Sequence, residues 1–389
     1  MENSLFLLSS MENGKPVLLE LLKNLEDRGI PAYNIDIFAC KKRDCNGNVE
    51  DIFTNVFLKI LFNRIPKIRL IVRYLGGRYF IKHYVHNGDV IVFQSIIPTY
   101  YLLISLMESR TDKIITHWWG SDLYRSTDKT KKILGKILDK CYRVVLFKGM
   151  TSYFVNYFPS HTAKIKYARF GTELIDIIRE KRLSFRSNDI RKKYFIPEDK
   201  IIITCAYNSH IGQQHILIIE AIEKLPLIVK DKIFLLFPMT YGGDDNYRQS
   251  VINRLLESKL PHFIMRSYLT NDDLSEVRLL SDIVVNIQVT DGFSVSIQES
   301  LFSGSVLIIG DWLNYPEYKE WGIFYLKVTL ENMHQVIEEV LTNLDYYKDL
   351  SKPNTEIIYK NSSWSAVIDN IIDVYDCRHM VSRLNEPLS

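Results

Sequence analysis

The segment best suited to chemistry runs from Asp291 to Gly304 and reads DGFSVSIQESLFSG. It follows the apolar run IVVNIQV, and this order predicts a strand, a glycine-containing turn and the start of a helix. Free backbone N–H groups and the partial positive charge of a helix N-terminus can hold a phosphate. Glu299 would lie near the first turn of that helix, where its carboxylate could accept hydrogen bonds from a pair of hydroxyl groups. The alternative is an ordinary strand-to-helix turn with Glu299 as a solvated helix residue.

A second segment, ITHWWGSDLYR, places His117 and Asp122 after a buried strand predicted at 113–116. Polar residues at the carboxyl ends of strands in such folds tend to face a ligand, so both residues are candidates for catalytic groups. Structural alternatives exist for each. His117 could be a core histidine bonded to a backbone carbonyl, and Asp122 could cap the next turn.

A third segment, YNSHIGQQH, begins at Tyr207, directly after a strand predicted at 201–206. Its position favours a contact between a phosphate and Asn208, Ser209 or His215. The same segment could instead be a loop that ends in a helix cap.

Strand-like and helix-like patterns alternate along the chain. Such alternation predicts an α/β protein with parallel sheets that are covered by helices on both faces. Its 389 residues suit two domains of this kind. The strands are predicted at 5–8, 33–39, 90–93, 113–116 and 143–147, and then at 201–206, 232–237, 263–266, 283–288 and 306–309.

A charged, weakly apolar stretch ending in FIPEDK separates the two series of strands. It predicts a first domain at 1–178, a linker at 179–200 and a second domain at 201–360. The helical pattern within 361–389 is expected to cross back to the first domain. Two doubly wound domains of this kind are expected to face a cleft, with ligands beyond the carboxyl ends of the strands.

Composition excludes several classes of function. The net charge is +3, which gives no reason to expect nucleic acid as a partner. The five cysteines are scattered and contain no CxxC pair, so neither a disulfide framework nor a zinc site is indicated. The N-terminus lacks the features of a signal peptide, and no stretch is apolar enough to span a bilayer. We therefore expect a cytoplasmic protein.

The Asp291 segment resembles a motif of the retaining GT-B glycosyltransferases, the group that contains glycogen synthases and bacterial mannosyltransferases. Their motif reads Glu-Gly-Phe-Gly, four residues and Glu. Here Asp291, Gly292, Phe293 and Ser294 fill the first part, and Glu299 keeps the spacing of the two acids. The resemblance implies that Asp291 lies near the donor sugar, that the next three residues offer backbone N–H groups, and that Glu299 holds the ribose. The Asp and Ser replacements leave sugar identity and stereochemistry open.

A narrower resemblance spans much of 110–310. The two segments at His117 and Tyr207, together with FPMTYGGDDNYRQSV, are similar to parts of the bacterial Fuc4NAc (4-acetamido-4,6-dideoxygalactose) transferases. It implies a lipid-linked glycan as acceptor. The Arg and Lys that usually meet the diphosphate in retaining GT-B enzymes are missing from the loop at 207–215. Arg248 or Arg266 is therefore expected to supply that charge.

The sequence thus predicts a metal-independent GT-B glycosyltransferase without a cofactor. Its C-terminal domain would bind a nucleoside diphosphate sugar and its N-terminal domain a saccharide or lipid-linked acceptor, in bacterial surface polysaccharide or glycolipid assembly. The alternatives are a GT-B-shaped nucleotide-sugar epimerase and a non-catalytic carbohydrate-binding or scaffold protein. The predicted catalytic residues are His117, Asp122 and Asp291. The predicted donor-binding residues are Asn208, Ser209, His215, Arg248, Arg266, Gly292, Phe293, Ser294 and Glu299.

The stretch 57–84 contains seven lysines and arginines and no acidic residue, among aromatic and aliphatic side chains. This mixture suits the surface of an anionic membrane. It is equally typical of helices with solvated basic faces. The first interpretation predicts peripheral attachment to the inner face of the cell membrane.

Overall fold

The computed structural model describes residues 3–9, 16–37, 39, 41–52 and 69–381. The chain divides into two compact units, of which the first comprises Met1–Gly171 and Trp364–Ser389 and the second comprises Thr172–Ser363. Each unit is built on a largely parallel sheet with Rossmann-like alternation of strands and helices. The predicted fold class, α/β with two doubly wound domains, is confirmed.

The described strands of the first unit form one sheet in the order β4-β3-β2-β1-β5-β6-β7-β8. The central strands are almost entirely apolar and buried, as expected for a parallel sheet that is covered on both faces. An antiparallel hairpin, which the sequence patterns did not predict, extends one edge. The strands are β1 (Leu5–Leu8), β2 (Ala32–Asp36), β3 (Lys41–Arg43), β4 (Val49–Asp51), β5 (Val90–Gln94), β6 (Lys113–His117), β7 (Arg143–Leu146) and β8 (Ile165–Tyr167).

Helices connect these strands. The β5, β6, β7 and β8 strands follow one another across the sheet in chain order, whereas the step from β1 to β2 runs the other way. Because such crossovers are right-handed, the helices before and between β5 and β8 share one face of the sheet and α1 lies on the other. The helices are α1 (Pro16–Glu26), α2 (Arg69–Tyr84), α3 (Tyr101–Glu108), α4 (Ser121–Tyr124), α5 (Asp128–Leu138) and α6 (Thr151–Tyr157).

The second unit contains a parallel sheet in the order β11-β10-β9-β12-β13-β14. The strands β10 and β11 are added on one side of β9, whereas β13 and β14 are added on the far side of β12. The topological switch point, where the strand order reverses, therefore lies between β9 and β12. A core cluster that includes Ile203, Leu235 and Val285 lies on one face. The strands are β9 (Ile201–Cys205), β10 (Ile233–Pro238), β11 (His262–Met265), β12 (Ile283–Asn286), β13 (Val306–Gly310) and β14 (Leu326–Val328).

The helices of the second unit cover both faces of its sheet. Local signals mark several of their ends: Thr270 and Asp273 form a capping box, and Gly304 ends a helix with φ of 91°. The helices are α7 (Leu174–Arg182), α8 (Ser187–Lys193), α9 (His215–Glu223), α10 (Leu227–Lys230), α11 (Asp245–Ser258), α12 (Asn271–Leu280), α13 (Val295–Ser303), α14 (Pro316–Trp321), α15 (Met333–Thr342) and α16 (Leu344–Ser362).

The segment 179–200, predicted to be a linker, instead contributes the end of α7 and all of α8 to the second unit. Both helices contact α12. Lys181 and Lys193 lie 2.9 and 2.8 Å from the two carboxylate oxygens of Glu276, which itself is buried. The charges that suggested a solvated linker are therefore partly used in ion pairs, and the boundary between the units falls at Gly171–Thr172.

The last helix, α17 (Trp364–Val374), belongs to the first unit, where it contacts α1. The indole Nε1 of Trp364 donates to Glu20 Oε2 at 2.7 Å. Tyr375, directly after the helix, is fully buried. The first unit is thus assembled from two separate stretches of the chain.

Candidate functional site

The candidate site of the second unit lies at the carboxyl ends of β9, β12 and β13, beside the switch point of the sheet. Ligands of doubly wound sheets bind at such a point. Asp291 follows β12 and accepts a hydrogen bond from the backbone N–H of Ser294 at 3.0 Å. Ser294 in turn precedes α13 in extended conformation, and its own side chain makes no capping hydrogen bond. Asp291 therefore holds the turn that leads into α13, while the contact of the first N–H groups of this helix with a phosphate stays a prediction.

Asp291 has a second donor that the sequence did not indicate. The hydroxyl of Tyr315, between β13 and α14, donates to Asp291 Oδ2 at 2.5 Å. Tyr315 is buried, and its ring packs against Phe293 at a centroid distance of 6.1 Å. Two chain segments that follow neighbouring strands thus hold one carboxylate and its turn.

Burial raises the pKa of Asp291 to about 6, while the Tyr315 hydroxyl and the Ser294 N–H act in the opposite direction because they stabilise the ionised form. At neutral pH the carboxylate is still mainly ionised. A group with these properties can stabilise positive charge or accept hydrogen bonds from hydroxyl groups of a ligand.

Amide side chains extend the polar character of this edge. Gln288 Oε1 accepts hydrogen bonds from the Tyr207 hydroxyl and from Gln213 Nε2, both at 2.8 Å. Asn286, the last residue of β12, is fully buried, and neither polar atom of its amide has a hydrogen-bond partner among the described residues. Leaving such a group unsatisfied costs about 1–3 kcal/mol, so these amides are suited to receive a polar ligand or water.

The loop at 207–215 meets the loop before α11. The backbone N–H and the hydroxyl of Ser209 both donate to the Tyr241 carbonyl at 2.7 Å. Arg248 Nη2 lies 3.2 Å from Ser209 Oγ, and Asn208 Oδ1 accepts from the backbone N–H of His210. Gly243 permits this approach, because a Cβ there would lie 2.0 Å from the Ser209 carbonyl oxygen. The structure thus brings Asn208, Ser209 and Arg248 together.

His215 and Arg266 are placed differently. His215 is fully buried with Nδ1 at 3.2 Å from the Tyr247 hydroxyl, and burial lowers its pKa to about 4. It is therefore neutral at physiological pH. Arg266 is exposed at the end of edge strand β11, three strand spacings or about 14 Å from β12. Neither placement supplies a positive charge beside Asp291.

Glu299 is buried inside the second unit, where it forms an ion pair. Its Oε2 accepts from Arg278 Nε at 3.2 Å and from Nη2 at 3.0 Å, and its Oε1 accepts from the Thr172 hydroxyl at 3.1 Å. Both carboxylate oxygens therefore have protein donors. The predicted contact with a ribose stays a prediction, and it would have to share a carboxylate that already joins α13 to α12.

In the first unit, His117 is fully buried. Gln94 Nε2 donates to the Tyr375 hydroxyl at 2.8 Å, and that hydroxyl lies 2.6 Å from His117 Nδ1. The imidazole also stacks on Phe170. Burial lowers the pKa of His117 to about 3, against the opposing effect of the Ala168 backbone carbonyl. These contacts are those of a core histidine, the structural alternative for this residue.

Asp122 is also buried, and its carboxylate accepts from three backbone N–H groups, those of Ile96, Trp119 and Gly120, at 3.0–3.2 Å. Burial nevertheless raises its pKa to about 6. Asp122 thereby fixes the turn at Gly120, where φ is 99°. Its contacts correspond to the capping alternative, and its predicted catalytic role remains without a supporting contact.

Sequence reasoning missed Tyr315, Arg278 and the amides at 213, 286 and 288. One signal was available for Tyr315: it lies in the loop after a predicted strand, where polar groups tend to face ligands. Arg278 lies in a helix rich in charges, and nothing in its own segment distinguishes it from a solvated residue.

No protein-family model and no curated protein sequence matches the chain. Solved structures do match it over nearly their full lengths. A glycosyltransferase from Rickettsia africae has a TM-score of 0.71 and 17% identity, with 99% of this chain and 100% of that chain covered. The α,α-trehalose 6-phosphate synthase from Burkholderia multivorans has a TM-score of 0.72 and 11% identity, with 100% of both chains covered.

A third match is Anabaena HepE in complex with UDP and glucose, with a TM-score of 0.68, 12% identity, and 97% of this chain and 100% of that chain covered. At these identities the similarity defines the fold: the chain has the GT-B architecture that these glycosyltransferases share. The narrower resemblance to Fuc4NAc transferases stays a prediction.

None of the described helices has the length and apolar character needed to cross a membrane. Across the same residues, no group of three or more His, Cys, Asp or Glu side chains is arranged to hold a metal ion. Independence from metal stays a prediction.

Proposed function

We propose that the protein is a glycosyltransferase that moves a sugar from a nucleoside diphosphate sugar to a saccharide or lipid-linked glycan acceptor. The observation that carries the proposal is the Asp291 turn at the N-terminus of α13, placed at the switch point of a GT-B fold. A helix N-terminus suits the diphosphate, and the adjacent buried carboxylate suits the hydroxyl-rich sugar.

The proposed donor-side roles follow from position. Gly292 and Phe293 would offer backbone N–H groups, whereas the Ser294 N–H already donates to Asp291 and would keep the turn in shape. Asn208 and Ser209, in the loop after β9, and Arg248 of α11 would supply further polar contacts. Departure of the diphosphate would be stabilised mainly by N–H groups and by Arg248, since His215 is neutral and Arg266 is distant. Anabaena HepE was solved with UDP-glucose, which makes that compound the first donor to test. Bacterial surface polysaccharide or glycolipid assembly is the proposed setting.

The proposal is tested by incubating the protein with a panel of nucleotide sugars and measuring release of nucleoside diphosphate, alongside saturation-transfer NMR for binding. One donor should be hydrolysed slowly without acceptor. Asp291→Asn should lower that rate by two orders of magnitude or so, on the scale of a lost electrostatic contact. Asp231→Asn, which alters an exposed carboxylate before β10 at the opposite edge of the sheet, is the matched control and should leave the rate unchanged.

Other outcomes of these measurements would indicate the alternative functions. A sugar that changes configuration without release of diphosphate would indicate an epimerase. Absence of both binding and hydrolysis across the panel would refute the transferase proposal and favour a scaffold protein.

A further inference from the structure

One helical layer of the first unit has an unusual outer surface. Helices α2, α3, α5 and α6 lie on the same face of the sheet, since the crossovers there share one direction. Among them, α2 contacts α3, and α3 contacts α5. Their outward sides therefore form one continuous surface, here called the α2–α5 surface.

Helix α2 presents apolar residues outward. Ile71, Leu75 and Tyr79 are spaced four residues apart, which puts them on one side of the helix, and they are 58%, 45% and 37% exposed. Phe80 and Ile81 point inward and are buried. A helix with apolar residues on both sides has a second surface to cover.

Helix α3 extends the apolar area. Tyr101 and Leu102 are 43% and 50% exposed. The two helices approach closely, because a Cβ on Gly77 of α2 would lie only 2.4 Å from a methyl group of Leu103. The buried Leu103 therefore packs against α2, and the exposed residues of both helices belong to one helical layer.

The charge of this surface has one dominant sign. Among the side chains that the structure describes, helices α2, α3, α5 and α6 together contain six lysines and arginines and two acidic residues, Glu108 and Asp128. Lys129, Lys132 and Lys136 of α5 are exposed. Lys136 lies with its Nζ 5.6 Å from the ring centre of Tyr101, which links the lysines to the apolar area.

A groove of about 710 Å³ runs along α5 beside the segment that follows α6. Lys131 and Lys132 line it, together with Tyr157, Ser160 and His161. Lys131 is buried with its Nζ 3.3 Å from the ring centre of Tyr157 and 4.0 Å from the nearest paired carboxylate, that of Asp128. Its ammonium also donates to the Tyr153 hydroxyl at 3.3 Å, which holds Lys131 in place. The exposed Lys132 and Lys136 of the same lining are therefore the cations that an approaching anion would meet.

We propose that the α2–α5 surface binds an anionic lipid bilayer, with the apolar residues of α2 and α3 entering the interface and the lysines of α5 meeting headgroup phosphates. An anionic bilayer has a layer of negatively charged headgroups over an apolar interior. Exposed aliphatic and aromatic residues can enter that interior, and the neighbouring cationic residues can pair with the headgroups. A soluble polyanion would match the lysines alone and would leave the apolar residues uncovered. This inference does not depend on the proposed transferase activity.

The test is co-sedimentation of the full chain with phosphatidylcholine vesicles, with and without phosphatidylglycerol. Binding should require phosphatidylglycerol and should weaken as the Debye length falls from about 10 Å at about 0.1 M salt to about 3 Å at about 1 M. Replacement of Lys129, Lys132 and Lys136 by Gln should reduce partitioning at low salt on the order of 100-fold, at about fivefold per charge.

A control variant removes the same charge from the second unit, where Lys327, Lys352 and Lys360 are exposed, and its binding should be unchanged. Leu75→Ser with Tyr79→Ser should abolish the part of binding that survives high salt, with the melting temperature as a check on folding. Failure to bind phosphatidylglycerol vesicles at low salt would overturn the proposal. Equal losses in the lysine variant and its control would overturn it too, because attraction would then reflect net charge alone.

Discussion

At the scale of single residues, Asp291 combines a buried position with an aromatic hydroxyl donor. Burial disfavours its charge, whereas the hydrogen bond from Tyr315 favours it and fixes the orientation of the carboxylate. Tyr315 does not need to touch a ligand to affect activity, since it influences the ionisation and orientation of Asp291, the residue proposed to contact the sugar. We therefore regard Tyr315 as a positioning residue in the proposed transferase.

Tyr315→Phe removes this donor and keeps the ring. The ionised form of Asp291 loses a hydrogen bond to a charged group, about 1.5–3 kcal/mol, so its pKa should rise from about 6 by roughly one to two units. The acid limb of donor turnover against pH should move upward by that amount, and activity at neutral pH should fall. Tyr318→Phe, which alters a neighbouring ring 5.0 Å away, is the control. An unmoved pH profile in Tyr315→Phe would show that the contact is only structural.

How far the site could be predicted depends on how far apart in sequence its members lie. Asp291, Ser294 and Glu299 belong to one continuous motif, so the sequence alone could name them as candidates. Tyr315 contacts Asp291 across 24 residues, and Arg278 contacts Glu299 across 21. Those contacts arise because successive strands lie side by side, and a single sequence does not record which side chains then meet.

At the scale of elements, Glu299 and Arg278 join α13 to α12. Both side chains are less than 10% exposed, and the pair is completed by Thr172. Breaking a buried pair from one side leaves a charge without compensation and costs about 3–5 kcal/mol. A test of ribose binding that changes Glu299 alone would therefore confuse stability with affinity.

Glu299→Gln should lower the melting temperature of the second unit by roughly 10 °C. Adding Arg278→Met should recover most of that loss, since no unpaired charge then remains. If Glu299 also holds a ribose, the stable double variant should still bind the donor nucleotide about 1.5–3 kcal/mol more weakly in calorimetry. Normal nucleotide affinity in that variant would remove Glu299 from the binding site and leave it a purely structural role.

Elements themselves were predicted well wherever burial was strong. The predicted strands at 90–93 and 306–309 differ from β5 and β13 by one residue at one end, because continuous apolar runs leave little choice of structure. The stretch at 179–200 was wrongly predicted to be a linker, because it is charged and has few apolar residues. Its lysines indicated a solvent-exposed segment, yet two of them form ion pairs with a carboxylate of α12. The local composition of the segment does not indicate these ion pairs.

At the scale of the whole molecule, the two units differ in how the chain builds them. Thr172–Ser363 is continuous and contains its own sheet and core. The first unit requires α17 and Tyr375, which arrive from the far end of the sequence. There the Tyr375 hydroxyl contacts His117 and Gln94, and Trp364 contacts Glu20. Without this return segment, buried polar groups and part of the core of the first unit lose their partners.

A fragment of residues 172–363 should therefore fold alone, unfold cooperatively in circular dichroism and, if the proposed donor role is right, bind UDP or another nucleoside diphosphate in calorimetry. A fragment of residues 1–171 should lack a cooperative transition, because removing 364–389 uncovers the side of α1 that α17 contacts and leaves His117 without its hydroxyl partner. Joining 364–389 to residue 171 through a flexible Gly/Ser linker should restore the transition. Cooperative unfolding of 1–171 at the temperature of the rejoined fragment would contradict this account, since the last helix would then contribute nothing to the first unit.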